Sequence, residues 1–150
     1  MKIDIEEIKK LRLTTGASIA DCRMVLEESK GDSKKALDLL KTQGFEKAAK
    51  KSDRKTSQGL IESYIHQNGK VGSIIEILCE TDFVARTDEF KKLAHEVAMQ
   101  VASMNPKDVK SLLKQEYIRD SSKTVGELVK EIIAKLGENI VIKGFTRFEI

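Results

Sequence analysis

Residues 59–79 read GLIESYIHQNGKVGSIIEILC. Two largely apolar runs, GLIESYIHQ and VGSIIEILC, flank Asn68-Gly69. That pair is a strong hairpin signal, because both central positions of a two-residue turn require positive φ. The spacing predicts two antiparallel strands joined by such a turn. The second strand runs into ETDFVAR, residues 80–86, where an acid and a large aromatic stand at the turn that should end it. Thr87 then caps a long predicted helix with Phe90, Leu93, Ala94, Val97, Ala98 and Val101 on one stripe, ending before Pro106. A further helix is expected over about 107–119. Thr124, with Glu127 three residues on, caps VGELVKEIIAKL, which Gly137 closes. The tail ENIVIKGFTRFEI has strand composition, with Gly144 suggesting a bulge. The predicted fold class is α+β: a small antiparallel three-stranded sheet, hairpin plus returning strand, packed by helices.

Towards the N-terminus the period changes from two to 3.6. Asp4 with Glu7 forms a capping-box-like start before Ile5, Ile8 and Leu11, and Gly16 breaks that pattern. Ser18 caps a second helix carrying Ile19, Cys22, Val25 and Leu26, which stops near Gly31. Asp32 caps a third, SKKALDLLKTQ, expected to end at Gly44. A bundle this small has a marginal core and usually serves as a binding module. Residues 45–57 follow as a basic, helical connector.

Composition sets the outer bounds. At 40% hydrophobic and 34% charged residues, the chain can form a core, and no run approaches the ~18 apolar residues of a membrane span. The amphipathic start MKIDIEEIKKLR does not read as a signal peptide. Cys22 and Cys79 have neither a CxxC partner nor metal-ligand spacing, so two reduced thiols in a cytosolic protein are expected. The net charge of +3 equals the excess within residues 46–57, where Lys47, Lys50, Lys51, Arg54 and Lys55 stand against Glu46 and Asp53. So local an excess reads as a solvated linker rather than a nucleic-acid face.

The chemistry-bearing motifs are missing. No phosphate-cradling glycine loop follows a strand, and His66 and His95 lack metalloprotease spacing. Asp82 and Asp88 both suit helix N-termini, where the dipole favours carboxylates. Catalysis by paired carboxylates would need a companion that the sequence does not place. No enzyme, cofactor or metal is expected. Phe83 has two readings. It can tuck under the next helix beside Phe90 or Leu93, the commoner fate of such an aromatic, or stand exposed as a wedge that enters another protein.

CETDFVAR at 79–86 and TGASIADC at 15–22 resemble elongation factor Ts, as do GDSKKALDLL at 31–40, AAKK at 48–51, SKTVGELV at 122–129, LGENI at 136–140 and GFTRFEI at 144–150. The resemblance covers nearly the whole chain. It implies a ubiquitin-associated-like three-helix module over 1–45, a connector over 46–57 and a core domain over 58–150. It implies guanine-nucleotide exchange on the translation GTPase elongation factor Tu, in the bacterial cytoplasm rather than an organelle. In that family Thr81, Asp82, Phe83 and the adjoining Val84 would enter the G domain of the partner, the aromatic reaching toward its magnesium and nucleotide. Arg12, Leu13, Ile19 and Ala20 would help the N-terminal module grip a helix of the same domain; many relatives have two bulky residues where this chain has Ile19 and Ala20. Longer relatives carry two core subdomains, a coiled-coil hairpin and a C-terminal module, whereas short ones pair, so a homodimer through the core sheet is implied. The alternatives are a helix-binding adaptor and an RNA-binding protein using residues 46–57.

Overall fold

The computed structural model describes residues 3–150. Helices α1 (Ile5–Thr15), α2 (Ile19–Glu28) and α3 (Ser33–Lys50) come first. Asp4, Ser18 and Asp32 cap them as expected, each side chain accepting a first-turn backbone N–H. Leu11, Cys22, Val25, Leu26 and Ala36 form their small shared core.

α3 does not stop at Gly44. It runs on to Lys50, and the first part of the expected connector, residues 45–50, is its last turns. A mid-helix glycine costs about 1 kcal/mol of propensity, but tertiary packing overrides it here. A Cβ at Gly44 would already touch Ala134 on the neighbouring helix, at 3.4 Å. Ala48, one turn later, is buried in the main core.

Strands β1 (Gln58–Ile65) and β2 (Val71–Cys79) form the predicted hairpin, and β5 (Ile140–Glu149) joins antiparallel on the far side of β2. The joining turn is wider than two residues. His66 N–H donates to Val71 at 2.9 Å, Gly69 N–H donates to His66 at 2.8 Å, and Gly69 alone is left-handed, at φ 69°. Asn68 instead uses its side chain, accepting from Lys70 N–H at 3.0 Å. The bulge in β5 is present: Glu76 pairs with Gly144 and Ile77 with Ile142, leaving Lys143 as the extra residue.

One face of the sheet presents Ile75, Ile77, Ile140 and Ile142 to the core. Across it lies α5 (Asp88–Met104), capped by Thr87. Every residue from Glu96 to Ala102 is buried, so two turns are enclosed on all sides. Ser73 Oγ ties sheet to helix by donating to the Ala98 carbonyl at 2.6 Å. The opposite sheet face stays open, with Ile61, Ile65, Ile74 and Phe148 exposed.

The expected helix over 107–119 is also corrected. Helix α6 covers only Val109–Lys114, and a small hairpin of β3 (Glu116–Tyr117) and β4 (Asp120–Thr124) follows, before α7 (Val125–Leu136). The reason lies in α5. The buried Gln100 amide donates to the Glu116 carbonyl at 3.0 Å and accepts from Ile118 N–H at 3.0 Å. Tyr117 Oη donates to Glu96, which also receives Arg119 Nε at 2.6 Å. Burial and that carboxylate push the Tyr117 phenol well above its ordinary range. The Gln100 bonds take the Glu116 carbonyl and the Ile118 N–H that a longer helix would have used internally. Gln100→Ala should therefore cost about 1–3 kcal/mol, the usual penalty for unpaired buried polar groups, measured as a lower urea midpoint with unchanged slope.

Candidate partner-binding site at the strand-to-helix turn

β2 ends at Cys79, and the chain turns at once into α4 (Asp82–Ala85), a single helical turn. Thr81 is its N-cap, at φ −124° and ψ 156°, with Oγ1 accepting from Val84 N–H at 3.4 Å. The cap is thus Thr81 and not Asp82, whose carboxylate instead pairs with Arg86 at 3.1 Å along the surface. Helical rotation of about 100° per residue separates the faces. Val84 and Ala85 pack against the main core, and Phe83 faces solvent, 77% exposed. The expectation that Phe83 tucks beneath the following helix fails. Phe90 and Leu93 are buried on the core side of α5, and Val84 and Ala85 take the inward positions of the turn.

The turn is pinned from a distant segment. Gly137, left-handed at φ 77°, ends α7 and swings the chain so that Glu138 faces the end of β2. Its Oε1 accepts Glu80 N–H at 3.2 Å and Thr81 N–H at 2.9 Å, and its Oε2 accepts Thr81 Oγ1 at 2.7 Å. Glu80 in turn accepts Asn139 N–H at 2.8 Å, and Asn139 Nδ2 donates to the Arg54 carbonyl at 3.0 Å. Arg54 lies 3.6 Å from the Glu80 carboxylate. Sequence reasoning missed this network. Glu138 and Asn139 appear in it only inside LGENI, and only the strand register Cys79↔Ile140 brings them beside the turn.

Behind the turn, the buried Cys79 thiol donates to the Thr81 carbonyl at 3.1 Å. Burial, with the nearby Glu138 carboxylate, pushes it up from 9.0 to about 11. It is therefore a protonated structural thiol at neutral pH.

Arg12, Leu13, Ile19 and Ala20 form a second exposed group, where α1 meets α2. Leu13 is 89% and Ile19 58% exposed, beside Ile5 at 66% on the same module. The structure does not bring these four to the Thr81–Val84 turn. They ride on the N-terminal core, while the turn rests on the main one. Among the described residues, no cluster of His, Cys, Asp and Glu suited to a metal ion occurs, and no helix is long and apolar enough to cross a membrane.

Residues 80–150, which begin at this turn and include Glu138, match the family described as elongation factor TS. The chain is 40% identical to elongation factor Ts of Thermoanaerobacter sp. (strain X514), over 98% of this chain and 94% of that protein. It is equally similar to elongation factor Ts of Thermotoga neapolitana, over all of this chain and 98% of the relative, and to that of Coprothermobacter proteolyticus. The chain belongs to the elongation factor Ts family. That places it among the elongation factors of protein biosynthesis. It is a compact member of the elongation factor Ts family: the match with the Thermotoga relative spans 193 residues, of which this chain supplies 150, leaving 43 without a counterpart here.

Two measurements check this description. Phe83→Ala should shift folding stability by no more than about 0.5 kcal/mol, as at other exposed sites, whereas Phe90→Ala, fully buried, should cost ~3–5 kcal/mol. Cys79 should react with iodoacetamide at pH 8 roughly 100-fold more slowly in the folded protein than in urea. Equal labelling rates would mean the thiol is not buried as described.

Proposed function

We propose that this chain is a guanine-nucleotide exchange factor. It binds elongation factor Tu in its GDP state and promotes GDP release during translation elongation, placing the Thr81–Val84 turn near the partner's magnesium and nucleotide. The observation that carries the proposal is Phe83, a large aromatic held outward on a short helix whose backbone is fixed at both ends. Exposed aromatics on rigid supports are the usual anchors of protein interfaces.

Such a factor needs no chemical active site. It binds the GTPase more tightly without nucleotide than with it, and linkage makes the effect reciprocal, so the factor weakens nucleotide by the same ratio. An inserted Phe83 achieves this by displacing the groups that hold magnesium and the phosphates. Losing the metal removes the largest local compensation of phosphate charge. GTP then fills the emptied site and, by the same reciprocity, expels the factor.

The labour is divided between the two exposed groups. Residues 1–45, through Arg12, Leu13, Ile19 and Ala20, supply affinity by gripping the G domain. Residues 46–57 connect, and the core over 58–150 disturbs the nucleotide. The open sheet face carrying Ile61, Ile65, Ile74 and Phe148 suits a homodimer in which two copies cover each other, in a bacterial cytoplasm.

Release of fluorescent GDP from purified elongation factor Tu tests the reading. The intact chain should accelerate release. Phe83→Ala should lower exchange efficiency roughly 30- to 1000-fold, corresponding to an anchor worth about 2–4 kcal/mol. GDP that stays bound despite tight association would make the chain a helix-binding adaptor instead. Sedimentation at micromolar concentration should give a dimer, and Phe148→Asp on the open face should return it to a monomer.

A further inference from the structure

We infer that Glu138 is a positioning residue for exchange: its carboxylate sets the direction in which Phe83 points. The inference rests on the exchange-factor reading and adds a residue to it. Phe83 is 77% exposed, so its aim comes chiefly from the backbone of residues 80–85. That backbone is fixed at its far end by the core contacts of Val84 and Ala85 and by Thr87 Oγ1, which donates to the Val84 carbonyl at 2.7 Å. At its near end the fixing group is Glu138. One carboxylate takes two successive backbone N–H groups and one hydroxyl, at 3.2, 2.9 and 2.7 Å.

The chemistry suits positioning rather than simple stabilisation. Two adjacent N–H groups bound to one oxygen fix the peptide plane between Glu80 and Thr81, and with it the entry angle of α4. The hydroxyl bond fixes the Thr81 rotamer. With its hydrogen committed to Glu138 Oε2, Thr81 Oγ1 has only lone pairs left to offer, and it accepts Val84 N–H. The cap of the helix that carries Phe83 is thus oriented by a residue 57 positions away in sequence. Charged acceptors make the stronger and more directional of such bonds.

The same loop also holds the segment that leaves α3. Asn139 joins Glu80 to the carbonyls of Ser52 and Arg54, just beyond α3. The segment leaving the N-terminal helices and the segment carrying Phe83 are therefore fastened to two consecutive residues of one loop. This fixes the offset between the two exposed groups that the proposed partner would meet.

The test is a double-mutant cycle in GDP release, with Glu138→Ala, Glu138→Gln, Phe83→Ala and the Glu138→Ala/Phe83→Ala pair. A misaimed group costs far more than its own contacts, so Glu138→Ala should lose roughly tenfold in exchange efficiency. Glu138→Gln keeps an oxygen for both N–H groups and should stay within about threefold of the parent chain. In the Phe83→Ala background, Glu138→Ala should lose almost nothing more, because there is no ring left to aim. Hydrogen exchange at the Glu80 and Thr81 amides should quicken in Glu138→Ala, while amides in the middle of β2 keep their protection. If Glu138→Ala does not fold, Glu138→Asp, one methylene shorter, replaces it in the cycle. Losses that add in the double variant, or a folded Glu138→Ala that exchanges normally while Phe83→Ala does not, would overturn the inference. A Phe83→Ala chain that exchanges normally would instead overturn the reading on which it rests.

Discussion

The enclosure of α5 is the constraint from which the rest follows. A helix buried along one stripe needs only apolar residues there, but two complete turns of this one have no solvent side. The sheet covers it from one direction, and α7 and the small hairpin cover others. The polar positions Glu96 and Gln100 consequently fall inside and must find partners. They do so by capturing the backbone and side chains of residues 115–119, and in this way a helix dictates the shape of a segment well outside itself. No buried side-chain nitrogen or oxygen among the described residues is left without a partner.

That packed unit also holds the exposed aromatic on a fixed support. A side chain on a loose loop would lose conformational freedom on binding and give back part of its contact energy. Here the ring sits on one helical turn between the end of β2 and the cap of α5, with an apolar underside formed by Val84 and Ala85. The backbone is ordered before any partner arrives. The N-terminal module is built in a different manner. Its core is five buried residues, and its surface keeps Leu13 and Ile19 in water. Sequestering those two side chains would improve that small core, and they are instead left outside.

Much of this was legible from local rules. Asp4, Ser18, Asp32, Thr87 and Thr124 each cap the helix assigned to them, because capping is settled within four residues. The three strands of the main sheet and the bulge near Gly144 were legible from composition, and the left-handed stop at Gly137 from its position. What escaped depends on groups far apart in the chain. Gly44 looked like a stop because Ala134 cannot be seen from residue 44. Residues 115–119 looked helical because Glu96 and Gln100 lie off the predicted α5 stripe, and nothing local marks them as buried. Phe83 could be placed in or out only by knowing which of its neighbours took the inward positions. Glu138 carried a visible clue, a carboxylate directly after a helix-ending glycine, but what it faces depends on the pairing of Cys79 with Ile140.

The order of strands in the sheet, β1-β2-β5, also has a temporal meaning. β1 and β2 are joined by a short turn and can pair within microseconds of being released from whatever holds them extended. β5 is separated from β2 by sixty residues, and loop closure over such a distance makes non-local contacts late and slow. The segment that fastens the strand-to-helix turn lies at the entrance to β5. During synthesis, the N-terminal helices and the hairpin therefore exist before the turn is held in place. A nascent or clipped chain lacking β5 would expose the aromatic without orienting it. The turn is held from both sides only once β5 docks beside β2, so the orientation of the ring follows the slowest pairing of the sheet.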